Sequence, residues 1–316
     1  MTTMHPTSPA VLTALPGADP STTRLMAQLP PSQATALTPQ GGRDTESAAA
    51  ATAQTLSRLA SQSPDALSLH LATLASHRQQ QLATLTAGAA STLSATSRTS
   101  SAVQNFEKLL VDTNRKTVGR QNEFLSKFAA YITALNELMV AINALPHAGS
   151  DGKMILEAGS VLARIQEFGK TWVADDKSKL ATFDSPEEAQ AFASRFRGGT
   201  VLVNGNTLWL NFRVLGPVLD AIAYDSGCAE VLKRSLTYEG IVSISSTGTN
   251  RLRTGEVTSN VAQALTLATG DIQKSAQTDM DLQITEFSRT ISQYDNLMKL
   301  YSSLMAAMTD TCKSFL

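Results

Sequence analysis

Tryptophan, tyrosine and phenylalanine are absent from the first third of this 316-residue chain. All of them, two Trp, five Tyr and ten Phe, lie at or after Phe106. Proline is absent from the last 99 residues: eight of the eleven lie at or before Pro64, and none follows Pro217. The front therefore lacks the side chains that bring most area into a core, while the end is free to run as uninterrupted helix. Cysteine is scarce. Cys228 and Cys312 exclude a disulfide framework and fall short of a four-ligand zinc site, so the expectation is two ordinary, partly buried thiols. Neither sign of charge is in excess. The 26 Lys and Arg stand against 27 Asp and Glu, which argues against a nucleic-acid clamp or a polybasic membrane binder.

Long apolar runs are missing as well. The longest mostly apolar stretches, such as Leu138 to Pro146, fall far below the roughly 20 residues that span a bilayer, so no integral membrane protein is expected. The start, Met1-Thr-Thr-Met-His-Pro-Thr-Ser-Pro9, has no basic n-region and no apolar core after it. A Sec-type export signal is not expected. That leaves a cytosolic protein, or one exported by a route that reads an uncleaved polar N-terminus.

Catalytic signatures are missing too. There is no G-x-G-x-x-G, no H-E-x-x-H and no G-x-S-x-G. Gly152-Lys153 imitates the end of a P-loop, but Met154 stands where Ser or Thr belongs and His147 where the first glycine belongs. His5, His70, His77 and His147 read as solvated. Asp175-Asp176 and Glu187-Glu188 have no nucleophile or histidine beside them in sequence. No catalytic residue, no cofactor and no metal ligand is assigned, and the protein is expected not to be an enzyme.

What is present is helical patterning. Residues 1–43, with seven prolines and Gly41-Gly42, read as a disordered start. Residues 44–101 read as a helical hairpin and its linker. Asp44 caps a first run, Ser63-Pro64-Asp65 starts a second, and Leu67, Leu71, Leu74, Arg78, Leu82 and Leu85 form a narrow stripe along it. Gly88 to Ser101 is the Ser/Thr/Ala-rich linker.

Residues 102–147 carry a heptad pattern: Phe124, Phe128, Tyr131, Leu135, Leu138, Ile142 and Leu145 recur at four and three. Upstream the same seam turns polar, through Leu110, Asn114, Thr117 and Gln121. A helix from Val103 to Leu145 would be about 65 Å long. Residues 256–316 repeat the pattern through Val261, Leu265, Ala268, Ile272, Ser275, Asp279, Leu282 and Glu286. It resumes at Thr290, Tyr294, Leu297, Tyr301, Leu304, Met308, Thr311 and Phe315. The step from Glu286 to Thr290 is a stutter. This second helix, Glu256 to Phe315, would reach about 90 Å. An antiparallel intramolecular coiled coil fits both, and so does pairing with other subunits; periodicity does not choose. Asp279, Ser275 and Glu286 are seam polars that either face the insert or water, or fix register and contact a partner.

Between the two helices, residues 148–255 read as an inserted small mixed α/β domain. Ser185-Pro186-Glu187-Glu188 is a capping box opening a helix to Phe196. Asn204-Gly205 sits between β-forming residues as a hairpin turn. Helices over Phe212 to Ala223 and Cys228 to Leu236 and a strand at Ile241 to Ser245 complete it. The fold class is mainly α.

The last third carries a resemblance. Asp271-Ile-Gln-Lys-Ser-Ala-Gln-Thr-Asp-Met-Asp-Leu-Gln-Ile284, Ser292-Gln-Tyr-Asp-Asn-Leu-Met-Lys-Leu300 and Thr309-Asp-Thr-Cys-Lys-Ser-Phe-Leu316 resemble the C-terminal helix of type III secretion needle-tip proteins of the IpaD/SipD/BipD family. Tyr-Asp-Asn-Leu-x-Lys and Thr-Asp-Thr-x-Lys-Ser-aromatic-Leu are the specific parts. The order of elements along the whole chain is similar as well. The resemblance implies a hydrophilic protein secreted through the injectisome needle without a cleaved signal. It would stand at the bacterial surface as a tip ring, commonly described as a pentamer, restraining secretion and serving hydrophobic translocator proteins as a platform. It implies a hairpin that acts as an internal chaperone, a needle subunit bound by the end of the C-terminal helix, and, for some members, bile salts as ligands. Tyr294, Asp295, Asn296, Lys299, Asp310, Lys313, Phe315 and Leu316 are the residues this assigns to needle or partner binding. Of these, Asp295, Asn296, Lys299, Asp310 and Lys313 also lie off the seam. The rival readings are a non-secreted coiled-coil scaffold or chaperone, and an enzyme housed in residues 148–255.

Overall fold

The computed structural model describes residues 39–93, 100–149, 151, 153–244 and 252–314. The chain divides into two units, Met1–Ser47 and Ala48–Leu316. Of the first, only the opening of one helix is described; the second holds everything that follows. The disordered start read from residues 1–43 lies outside the described residues up to position 38. Helix α1 then begins at Pro39, not at the Asp44 cap, and runs to Gln62; proline suits a first helical turn because its missing N–H has no partner there. Helix α2 spans Pro64–Leu93. Ser63 alone joins them: its N–H donates to the Leu59 carbonyl, and its own carbonyl accepts from Leu67. The linker read from Gly88 onward is helical as far as Leu93, and helix α3 (Ser100–Thr113) opens before that linker's expected end.

Helix α3 passes into a π-helical segment, Asn114–Gly119, and then into α4, Arg120–Asn143. The expected single helix is therefore interrupted by one wide turn. The interruption shifts the seam: Thr117 is exposed and Val118 is buried in its place, because a π turn holds a surplus residue. Helix α9 closes the chain as 56 residues, Ser259–Ser314. It starts later than Glu256, because Thr254–Val257 is a strand.

α4 and α9 run antiparallel within one chain. Thr269 donates to Asn143 Oδ1 at 2.9 Å, Gln273 reaches the Asn136 carbonyl at 3.5 Å, and Phe106 stacks on Tyr301. As positions rise on α9 they fall on the first helix. α2 lies along α4 in the same opposed sense, with Ser68 bonded to Ser126 and Asn122 donating to the Leu71 carbonyl. By length and composition Gln104–Asn143 would pass as a membrane span, with half of its most apolar window buried; it packs on α2, α9 and the insert, and Val111 and Val140 stay exposed.

The seam of α9 departs from its reading at mid-helix. Ala276, Met280, Ile284, Phe287 and Ile291 are buried, while Ser275, Leu282 and Glu286 are only half-buried. The extra step of four thus falls between Ala268 and Ile284, earlier than Glu286: Ala276 and Phe287 take the seam in place of Ser275 and Glu286, and Met280 shares it with buried Asp279.

The insert is built on two small antiparallel sheets. The first orders β1 (His147–Ala148), β2 (Met154–Glu157) and β6 (Thr254–Val257), with Ile155 opposite Glu256. So β6 crosses the expected boundary between residues 255 and 256. The second orders β3 (Lys179–Thr182), β5 (Thr207–Leu210) and β4 (Val201–Asn204), with Leu202 opposite Trp209. Gly205 at φ +60° supplies the left-handed residue of the β4–β5 turn.

Helix α5 (Ala158–Val173) has no counterpart in the sequence reading. Helix α6 (Pro186–Ala193) follows the expected cap: Ser185 Oγ accepts from Glu188 N–H. Helices α7 (Gly216–Ile222) and α8 (Ser226–Arg234) complete the insert. The strand expected at Ile241–Ser245 is instead a 3₁₀ turn, Ile241–Ser243. Ile241 fills the space beside Gly169 of α5, where a Cβ would come within 2.7 Å of it, and that contact replaces sheet pairing.

The aromatics of α4 explain where the insert sits. Phe124 and Phe128 meet Phe196, Phe124 also meets Phe192, and Tyr131 meets Phe168 and Trp172. These residues read as coiled-coil seam, and they are buried. A large part of what covers them is the insert, because periodicity reports which face is buried and not by what.

Candidate partner-binding surface

Of the residues assigned to partner binding, Tyr294, Asp295, Asn296, Lys299, Asp310 and Lys313 lie on the C-terminal part of α9. They are not alike. Tyr294 is a core residue, 1 % exposed. Asp295 is half-buried and engaged: Arg78 of α2 reaches both of its carboxylate oxygens, at 3.2 and 3.3 Å. Asn296 is half-buried, and Lys299 and Asp310 are exposed. The side chain of Lys313, together with Phe315 and Leu316, lies outside the described residues. The expectation that Asp295 is free to face a partner is therefore corrected. It is held by a helix 217 positions away.

Arg78 belongs to the apolar stripe of α2, between Leu74 and Leu82. Leu67, Leu71 and Leu82 of that stripe are buried, and so is Arg78. A guanidinium in such a stripe requires an acid, since an unpaired buried charge is costly. The signal was present; the partner was not, because nothing in local spacing points from Arg78 to Asp295.

Along this part of α9 the buried polar side chains are unevenly satisfied. Tyr294 and Tyr301 are both buried, and neither hydroxyl has a hydrogen-bond partner. Burial pushes the Tyr294 phenol up to about 12. Burial, with Glu107 nearby, also raises that of Tyr301. Tyr301 is fixed by its ring instead, stacked on Phe106 at 5.7 Å.

The other notable polar residue of α9 is Asp279, 0 % exposed. Its carboxylate accepts from the Arg197 N–H at 2.8 Å, the Gly198 N–H at 2.9 and 3.1 Å, and the Thr200 hydroxyl at 2.6 Å. Of the two readings of the seam polars, Asp279 follows the one in which they face the insert. The loop after α6 is shaped for it. A Cβ on Gly198 would stand 2.8 Å from the Ser275 carbonyl oxygen, and Gly199 takes φ +65°.

A groove of about 560 Å³ opens among α1, α4 and α9, lined by Ala60, Ile132, Asn136, Val140 and Met280 among others. Cys228 is buried and free. Among the described residues no three His, Cys, Asp or Glu side chains converge as a metal-holding group.

No family model matches the chain, and no curated protein matches it. The structure is similar to that of BipD, a component of the type-III secretion system of Burkholderia pseudomallei. The TM-score is 0.49 and the identity 16 %, over 78 % of this chain and 80 % of that one. At that level the likeness carries no argument about activity, and function rests on the residues themselves.

Proposed function

We propose that the protein is a type III secretion needle-tip protein, a secreted structural cap that controls secretion and serves translocator proteins as a platform. The observation that carries this reading is a coincidence of place. The stretch that resembles the tip family, Ser292–Leu300, is the stretch that α2 clasps through Arg78 and Asp295. A docking surface partly covered by the chain's own α2 suits a protein kept from assembling until it is exported. Exposed Lys299 and Asp310 are then the first needle contacts, and Asp295 and Tyr294 join them once α2 withdraws. On this reading the protein assembles with copies of itself at the needle end, at the bacterial surface. The bile-salt ligand that the resemblance raises would fit the apolar groove beside Ile132 and Val140.

Immunolabelling of intact bacteria tests the reading: label is expected at needle ends. Lys299→Glu combined with Asp310→Lys, both at exposed positions, should retain helix content, abolish that label and release translocators into the medium without contact. Label confined to the cytoplasm would favour the non-secreted scaffold instead.

A further inference from the structure

A cleft of about 320 Å³ opens where the insert meets α9, in the turns just before Asp279. Its insert wall is the loop Gly198, Gly199 and Thr200, together with the 3₁₀ turn Phe212–Leu215 that leads into α7. Its helix wall is Asp271, Ile272 and Ser275. Asn211 ties the insert wall together. Its side-chain NH₂ donates to the Gly199 carbonyl at 2.8 Å, its side-chain oxygen accepts from the Arg213 N–H at 3.1 Å, and its backbone N–H donates to the Thr200 carbonyl at 2.9 Å. The Asp279 carboxylate in turn fixes that loop against α9. The walls are preformed, as those of small-molecule sites usually are.

The cleft holds one charge of each sign. Arg213 stands in the insert wall and Asp271 in the helix wall, both exposed. Among the described residues neither has an ion-pair partner, and they do not bridge to each other. Charges elsewhere in the insert do pair, as Lys233 does with Asp220 at 2.7 Å and with Glu230 at 3.1 Å. Ser275 is set apart in the same way. Thr266, Thr269, Thr278, Thr285, Ser288 and Thr290 of α9 each donate to the carbonyl four residues back, whereas the half-buried Ser275 hydroxyl has no partner among the described residues. The rest of the lining is largely apolar, with Val214, Pro217 and Ile272. A ligand of one sign would meet a like charge here: an anion meets Asp271 and a cation meets Arg213. A molecule carrying both charges and some hydrocarbon satisfies every group.

We propose that this cleft binds a small apolar zwitterion, an α-amino acid or a dipeptide. Arg213 takes the carboxylate with its planar fork of donors, Asp271 takes the ammonium, Ser275 adds a hydrogen bond, and the apolar lining takes the side chain. Because the walls come from the insert and from α9, the ligand strengthens the hold of one on the other. The site stands whether or not the protein caps a needle.

Calorimetric titration of the full-length chain tests it, with L-leucine in one arm and L-leucyl-L-leucine in the other. At least one should bind with a Kd of about 1 mM or tighter, and the one that does identifies the source. Isocaproate, which lacks the ammonium, and isoamylamine, which lacks the carboxylate, should each bind about tenfold or more weakly than leucine or the dipeptide. Arg213→Gln and Asp271→Asn, both at exposed positions, should keep the parent's urea midpoint and each lose about tenfold or more in affinity. With the bound zwitterion at about ten times its Kd, amide exchange at residues 197–200 should slow about tenfold. Failure of both leucine and the dipeptide to bind overturns the proposal. So does affinity that either variant leaves unchanged, isocaproate or isoamylamine binding as tightly as the zwitterion, or exchange at residues 197–200 that the ligand does not slow.

Discussion

Asp279→Ala is expected to have a large effect on the stability of this fold. It removes a fully buried carboxylate from three donors at once: the N–H groups of Arg197 and Gly198 and the hydroxyl of Thr200. The Thr200 hydroxyl rotates and finds other company. The two backbone N–H groups are fixed and are left facing a void. Each unsatisfied buried donor costs about 1–3 kcal/mol, and the small cavity adds to it. Against this stands the relief of no longer holding a carboxylate out of water. The net expectation is a loss of about 3–5 kcal/mol.

Asp279→Asn keeps one acceptor oxygen but sets an NH₂ against the Gly198 N–H, so a smaller loss of about 1–3 kcal/mol is expected. Gly198→Ala attacks the same contact from the other side, with its Cβ 2.7 Å from Asp279 Oδ2 and 2.8 Å from the Ser275 carbonyl oxygen. The double variant Gly198→Ala/Asp279→Ala should therefore cost less than the sum of its parts. Urea unfolding reads all four proteins, with stability taken from midpoints at unchanged slope. An Asp279→Ala protein whose midpoint matches the parent's would refute the reasoning, since it would mean that the loop finds other acceptors at no cost.

Arg78→Ala leaves Asp295 able to meet water, its side chain being 43 % exposed; a loss of only about 1–2 kcal/mol is expected, with faster protease cleavage between α2 and α3 and unchanged helix content. Removing residues 1–100 should leave a folded core that self-associates more readily, and identical sedimentation of full-length and shortened chains over a wide concentration range would count against it. Tyr294→Phe and Tyr301→Phe remove hydroxyls that have no partner, so each should be neutral within about 1 kcal/mol, or stabilising. Tyr294 holds its proton more tightly in the fold than in the unfolded chain, about 12 against an ordinary value near 10. Its contribution is therefore complete below pH 10 and lost as pH rises from 10 to 12, and Tyr294→Phe should flatten that loss in pH-dependent urea midpoints.

Patterns with short reach were legible in the sequence. The four-three recurrence marks the buried faces of both long helices, Ser185 caps α6 as its residue types require, and Gly205 turns the β4–β5 hairpin. What escaped are features decided by distant chain. Phe124, Phe128 and Tyr131 carry a perfect seam spacing, yet the insert's aromatics Phe192, Phe196, Phe168 and Trp172 are among what covers them. The shift from Thr117 to Val118 depends on a π turn that no residue type announces. Ile241 has the look of a strand and is used as a plug against Gly169. In the candidate surface, the location on the C-terminal part of α9 follows from residue patterns. The clasp on Asp295 does not, because an ion pair between residues so far apart leaves no periodic trace.

Two of the polar attachments to α9, at Asp279 and Asp295, differ in a way that orders their opening. At Asp279 the acceptor is wholly buried and its donors are mostly backbone N–H groups of a tight loop. Opening it exposes a charge and strands fixed donors, so it parts only when the fold does. At Asp295 the acceptor is already half in water and its donor is a long side chain. Opening it costs little Coulomb energy and gives water access to the neighbouring Tyr294 hydroxyl, which the packed state leaves unbonded. Desolvation is thus partly reversed at one attachment and never at the other. The α2 helix should accordingly leave α9 before the insert does. Native-state hydrogen exchange in rising denaturant reads this directly: amides of residues 67–87 should open at lower urea than those of residues 197–210, and the reverse order would show that the exposed ion pair is not the weaker hold.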